Sequence, residues 1–170
     1  MIKVGLISDT HNYLDPQVFE YFEGVDEIWH AGDFGTIEIA KELEKIAPVI
    51  GVYGNIDGHD VRDEYPLHQR FEKEGLKIWM THIGGVPGRY CLPIKEDIES
   101  KPPDVFICGH SHILKIARDP NLNNMLYMNP GAAGKQGFQV YRTVVRFDLD
   151  EGQMKNVEVI NLGKIAALRD

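Results

Sequence analysis

Five short segments carry side chains able to bind a metal: Asp9-Thr10-His11, Gly32-Asp33, Gly54-Asn55, Thr81-His82 and Gly109-His110-Ser111-His112. Carboxylate, amide oxygen and imidazole together suit Mn, Fe, Zn or similar ions rather than an all-oxygen calcium site. One ion takes about four to six ligands, so the seven residues Asp9, His11, Asp33, Asn55, His82, His110 and His112 exceed one ordinary site. A pair of ions needs a bridging group, and a carboxylate has two oxygens to offer. Asp33, alone between the other segments, is the best placed to bridge. Two ions about 3.5–4 Å apart can hold both the attacking and the leaving oxygen of a phosphoryl displacement.

The elements that position these residues read as follows. Short β-branched runs predict strands over 2–8, 27–31 and 49–53. Between them lie helices over 16–23, with Pro16 in the first turn, and over 36–46, where Ile37, Ala40, Leu43 and Ile46 keep helical spacing behind a Thr36 cap. This β-α-β-α-β start implies a parallel sheet with helices packed on it. Further strands are expected over 68–74, 76–81, 103–108, 113–118, 125–128, 143–148 and 156–161, a helix over 93–100, and a flexible loop over 84–90. Two sheets with helices outside account for this pattern as an α/β/β/α sandwich. Each metal-capable segment follows an apolar strand, and ligands of open α/β sheets bind outside the carboxyl ends of strands. The glycines at 32, 54 and 109 permit close approach of the chain to the ions.

The chain has 170 residues, which suits a single domain over 1–170. Its formal net charge is −8, and Lys and Arg are scattered among acids, which argues against an extended nucleic-acid surface. Two cysteines, Cys91 and Cys108, do not make a disulfide framework; Cys108 reads as a buried thiol. No segment approaches the roughly 18 consecutive apolar residues of a membrane helix, and no signal peptide is read, so a cytoplasmic location is expected.

The pattern D-x-H, G-D, G-N, a lone H, then G-H-x-H resembles the calcineurin-like metallophosphoesterase superfamily. The small size, the opening Gly-Leu-Ile-Ser-Asp-Thr-His and the later Met128-Asn129-Pro130-Gly131 resemble its YfcE-type phosphodiesterase branch. The resemblance implies a four-layer α/β/β/α sandwich with two mixed sheets. It also implies a ligand division: Asp9, His11 and His112 on one ion, Asn55, His82 and His110 on the other, and Asp33 between them. The expected cofactor is two divalent ions, manganese first, with Fe, Zn or Ni as alternatives. The wider superfamily places a histidine directly after the motif asparagine as proton donor. Here that position is Ile56, as it tends to be non-histidine in the YfcE-type branch. General-acid catalysis is typically worth about 10²–10⁴-fold, so a substrate with a good leaving group suffers least from the change.

The function expected from these residues is hydrolysis of a small phosphodiester or nucleotide-like substrate by a hydroxide bridging the metals. Asp33, Asn55 and His110 are its catalytic residues. Asn12, Arg89 and Tyr90 are candidate substrate contacts: Asn12 for a phosphate oxygen or a helix cap near Pro16, Arg89 for phosphate, Tyr90 for stacking on an aryl group or base. His59 is a candidate stand-in for the proton donor, otherwise a loop histidine. Asp57 can hold a ligand ring or serve its own turn. His30 reads as packed behind the site and His68 as ordinary. The alternatives are a phosphomonoesterase or nucleotidase, and a weakly active metal-binding scaffold like the retromer subunit of this fold; a homo-oligomer is compatible with either. A zinc hydrolase of the metallo-β-lactamase type needs a His-x-His-x-Asp-His cluster, which Ile113 and Leu114 interrupt.

Overall fold

The computed structural model describes residues 1–165. The elements run β1 (Ile2–Ile7), α1 (Gln17–Tyr21), β2 (Glu27–His30), α2 (Ile37–Glu44), β3 (Val49–Gly51), α3 (His59–Arg62), β4 (His68–Lys73), β5 (Leu76–Thr81), β6 (Gly85–Val86), β7 (Arg89–Tyr90), α4 (Leu92–Ser100), β8 (Val105–Ile107), β9 (Lys115–Asp119), β10 (Met125–Asn129), β11 (Tyr141–Asp150) and β12 (Gln153–Lys164). One sheet has the order β12-β11-β1-β2-β3, a second β4-β5-β8-β10-β9, and β6-β7 form a small hairpin. In the first sheet β1, β2 and β3 are parallel and β11 and β12 antiparallel. In the second, β5, β8 and β10 are parallel, with antiparallel β4 and β9 at the edges. Both five-stranded sheets are therefore mixed.

Side-chain alternation along the strands builds the layers. Val4, Leu6, Trp29, Val145 and Phe147 of the first sheet meet Ile78, Met80, Ile107 and Met128 of the second in one buried cluster. The opposite face of the first sheet, with Ile7, Ile28 and Val144, packs on Val18 of α1 and Phe22 just after it, Ile39 and Leu43 of α2 and Val61 of α3. The outer face of the second sheet, with Trp79, Phe106 and Tyr127, packs on Ile94 and Ile98 of α4. Three apolar interfaces separate four layers, which is the α/β/β/α sandwich. No helix among the described residues is long and apolar enough to cross a membrane.

Several local expectations are corrected. Residues 84–90 are the β6-β7 hairpin, not a flexible loop; Val86 pairs with Arg89 across Pro87-Gly88, and Gly88 has φ +87°. Proline then a positive-φ glycine is the signature of a type II turn. Thr36 sits at the start of α2, but its hydroxyl donates to Asn12 Oδ1 at 2.7 Å and makes no cap bond. Asp60 Oδ2 instead accepts the Ile37 N–H at 2.8 Å. Asn12 does not cap α1 either; Asp15 Oδ1 accepts the Gln17 N–H at 2.9 Å. The strands expected over 143–148 and 156–161 extend into the long β11-β12 hairpin, because ladder pairing carries the polar, exposed residues of β12 that show no apolar alternation. The short α3 was not expected.

Candidate metal centre

The chain leaves β1, β2, β5 and β8 at one edge of the sandwich, and the ligand-capable segments meet there. Asp9, His11 and His112 present donor atoms that all lie within 4.8 Å of one another, and Asp33, His82 and His110 form a second such group. Asp33 Oδ2 lies 3.3 Å from His11 Nε2 in the first group and 3.1 Å from His82 Nε2 in the second. The carboxylate thus stands between them. Asp9 Oδ1 faces His112 Nε2 at 3.2 Å and His11 Nε2 at 3.7 Å. Asn55 Oδ1 and His110 Nδ1 lie 3.1 Å apart, so the amide oxygen joins the second group at its open side.

The donor set fits a cation. Asp9 Oδ1, His11 Nε2 and His82 Nε2 are buried without a hydrogen-bond partner. Such an atom costs about 1–3 kcal/mol when left unpaired, and these three converge on one place. Two of the rings, His82 and His112, are anchored on their far side. His82 Nδ1–H donates to the Ala31 carbonyl at 2.8 Å, and His112 Nδ1–H to Gln136 O at 2.9 Å and Gln139 Oε1 at 3.0 Å. Those bonds set the tautomer and leave Nε2 with its lone pair inward, the arrangement that metal-binding histidines use.

Charge in the cluster is strongly coupled. Burial opposes ionisation of Asp9 and Asp33, but the adjoining imidazoles, His11 and His112 in one case and His11 and His82 in the other, outweigh it. Both carboxyls are held well below the usual carboxylate range. His11 is pushed up to about 9, chiefly by the Asp33 carboxylate beside its Nε2 and then by that of Asp9. His112 is raised by Asp9; His82 is raised because Asp33 and Asp9 outweigh its burial. His110 is lowered by burial and by His82.

These shifts have a definite sign. Metal-stripped protein gains stability from His11 below its ordinary value of about 6.5 and loses it as pH rises through about 9. The two depressed carboxyls contribute above their ordinary values and lose that contribution as pH falls. Metal binding needs neutral imidazole and so strengthens as pH rises. Thermal melts from pH 6.5 to 9 should therefore fall for stripped protein, while the stabilisation added by a fixed concentration of Mn²⁺ grows. Parallel curves with and without metal contradict this coupling.

The backbone at the centre is strained. Asp9, His11, Asn12, Asp33, His110 and His112 all have φ between 45° and 69°. Each such non-glycine residue costs about 1–2 kcal/mol, and strain of this kind concentrates at functional sites. It is held by Asp9 N–H to Gly32 O at 2.9 Å, His11 N–H to Asp33 O at 3.0 Å and Asn12 N–H to Phe34 O at 2.8 Å. The His110 N–H donates to Asp9 Oδ2 at 3.1 Å, tying the last segment to the first. Gly54 and Gly109 are required by close approach: a Cβ on the first would strike Asp33 Oδ1, and on the second Ser8 Oγ and Asp9 Oδ2. Gly54→Ala should weaken metal binding roughly 10–100-fold, the usual cost of disturbing a ligand's support, with an unchanged far-ultraviolet spectrum. Titration calorimetry checks it; unchanged affinity overturns it.

The remaining expectations divide. Asp57 holds no ring. Its carboxylate accepts N–H bonds from Gly54 at 2.8 Å, Gly35 at 2.9 Å and Phe34 at 3.2 Å, joining the loops after β2 and β3. His30 is packed as expected: fully buried, stacked on Phe34 at 3.6 Å, and kept neutral by burial, which lowers its pKa to about 3. Its Nδ1 accepts the Gly32 N–H and its Nε2 meets the Thr10 hydroxyl, both at 3.1 Å. His59 is exposed in α3. Tyr90 is not free to stack on a substrate: it is buried, and its hydroxyl donates to Asp119 Oδ2 at 2.6 Å. Arg89 is exposed in the same hairpin. Asn12 Oδ1 is engaged by Thr36. Sequence reasoning missed Ser8, whose hydroxyl donates to Asp9 Oδ2 at 2.6 Å, and the Gln136 and Gln139 oxygens behind His112.

Residues 2–152 match the calcineurin-like phosphoesterase superfamily domain, and the chain belongs to that superfamily. It is similar to a probable metallophosphoesterase of Methanothermobacter thermautotrophicus, 34% identical over 134 residues that cover 76% of each chain. It is also similar to a phosphodiesterase of Methanocaldococcus jannaschii, 31% identical over 146 residues, covering 76% of this chain and 83% of that one. Among solved structures, an archaeal phosphodiesterase superposes with TM-score 0.73 at 29% identity, covering 95% of this chain and all of the other (100%). Vps29 of Entamoeba histolytica, complexed with zinc, shares the fold at TM-score 0.71 and 17% identity, over 95% of this chain and 98% of that one.

Proposed function

We propose that this metallophosphoesterase is a dinuclear phosphodiesterase, with Asp9, His11 and His112 holding one divalent ion, Asn55, His82 and His110 the other, and Asp33 shared. The observation that carries the reading is Asp33 Oδ2, within 3.3 Å of a ring nitrogen in each group. When bound, a pair of such ions supplies an acidified water nucleophile and neutralises phosphoryl charge. The chain's own groups do the rest. Asn55 and His110 are exposed at the mouth, where an incoming phosphoryl oxygen arrives. Asn55 Oδ1 is turned to His110, which leaves the amide N–H groups to donate to that oxygen. Ser8 and the His110 N–H fix Asp9, and the Ile56 N–H donates to Asp33 Oδ1 at 3.0 Å, so neither carboxylate has to reorganise. The similarity to phosphodiesterases supports a diester as substrate.

The test is a side-by-side assay of metal-stripped protein with added Mn²⁺ against bis(4-nitrophenyl) phosphate and 4-nitrophenyl phosphate. Metal-dependent turnover favouring the diester is expected. Preference for the monoester assigns a phosphomonoesterase, and metal binding without turnover of either assigns a binding scaffold.

A further inference from the structure

Beside the metal centre lies a cleft of about 410 Å³, within the range of small-molecule sites. Its walls are Tyr53, Leu67, Ile83, Cys91, Pro93 and Ile94, and among the described residues no Asp, Glu, Lys or Arg lines it. It is continuous with the centre, because Asn55 and His82 line it as well. Its floor is firm: Ile94 is 3% exposed and packs in the outer core with α4. Tyr53 is held by the Arg62 guanidinium, 4.4 Å above its ring. The polar side chains that line it besides the metal-centre residues include Thr81 and His68. Trp79 Nε1–H donates to His68 Nδ1 at 3.2 Å, so the His68 proton sits on Nε2. A second apolar cavity flanks His112, but its walls stand in solvent, with Ile113 66% and Val140 57% exposed. Three further cavities among the described residues share no residue with the ligand segments.

A second, chemical observation points the same way. Residue 56, anchored to Asp33 by its N–H, is an isoleucine with no proton to give a departing oxygen. A leaving group that departs unprotonated must stabilise its own negative charge, as an aromatic oxygen does and an alkoxide does not. Resting on the phosphodiesterase reading, we propose that the Leu67–Ile94 cleft receives a planar aromatic group of the ester, which makes this an aryl-selective phosphoesterase site.

The experiment compares phenylphosphonate with methylphosphonate, neither of them hydrolysable, by calorimetry on Mn²⁺-loaded protein. Leu67 is the residue to vary, because it is 46% exposed and its replacement spares the core. Phenylphosphonate should bind at least about ten-fold tighter, from burial of the ring. Leu67→Glu should erase that advantage and leave methylphosphonate within about two-fold of the original, and Leu67→Ala should fall between. Equal affinity for the two probes, binding of neither, or an equal loss for both in Leu67→Glu overturns the proposal. Discrimination without any ester hydrolysis leaves the cleft standing and removes the phosphodiesterase reading; hydrolysis without discrimination does the reverse.

Discussion

Asp33→Asn should abolish metal binding at both positions and hydrolysis with it. Asp33 is 2% exposed, and its Oδ1 is already committed to the Ile56 N–H. Oδ2 alone faces His11 and His82. Asparagine fills the same volume, so the fold should persist. One amide oxygen, however, replaces two charged ones, and an N–H₂ group takes the remaining place. If the oxygen keeps the Ile56 bond, donors rather than a lone pair point at both metal positions. The loss should exceed the roughly 10–100-fold typical of changing a group behind a ligand. The same substitution removes the largest influence raising His11, whose titration should move down from about 9 toward its ordinary value in metal-stripped protein. Nuclear magnetic resonance of the imidazole and a metal titration check the two halves. A variant with full activity contradicts the shared-carboxylate assignment.

Why Asp33 was legible in the sequence, and Tyr90 was not, follows from how each is specified. Asp9, Asp33, His82 and His110 each follow a short apolar strand, so the run of β-branched residues and the polar residue after it fall in one reading window. Parallel pairing of β1 with β2 and of β5 with β8 then brings those ends together. The supporting bonds leave no such trace: His82 meets Ala31 across 51 positions and the His110 N–H meets Asp9 across 101. Tyr90 follows a glycine-rich stretch that reads as mobile, and contacts distant in sequence, with Phe106 and with Asp119 29 positions on, make it interior. The left-handed backbone at His11, His110 and His112 is hidden as well, since positive φ is signalled by glycine and none stands there. Helix α3 has four residues, too few for an apolar period to appear.

Ile56→His should give the opposite outcome, a gain. The Ile56 N–H anchors the backbone at Asp33, and its side chain is 46% exposed, so histidine is accommodated without disturbing the core. It introduces a proton donor next to Asn55 at the open mouth of the site. Diesters with alkyl leaving groups should gain up to about 10²-fold in kcat/KM, the lower end of general-acid contributions, while 4-nitrophenyl esters change little. A series of leaving groups of rising pKa reads this as a shallower dependence of rate on leaving-group basicity. An equal change for alkyl and aryl esters, or none for either, places residue 56 away from the departing oxygen and removes one support for an aromatic substrate.

The proposed centre has two adjoining metal positions around one carboxylate, that of Asp33. Titration of metal-stripped protein with Mn²⁺, read as bound ions per chain, tests it most directly. Two ions per chain are expected, both lost in Asp33→Asn. Saturation at a single ion, or no binding at all, contradicts it.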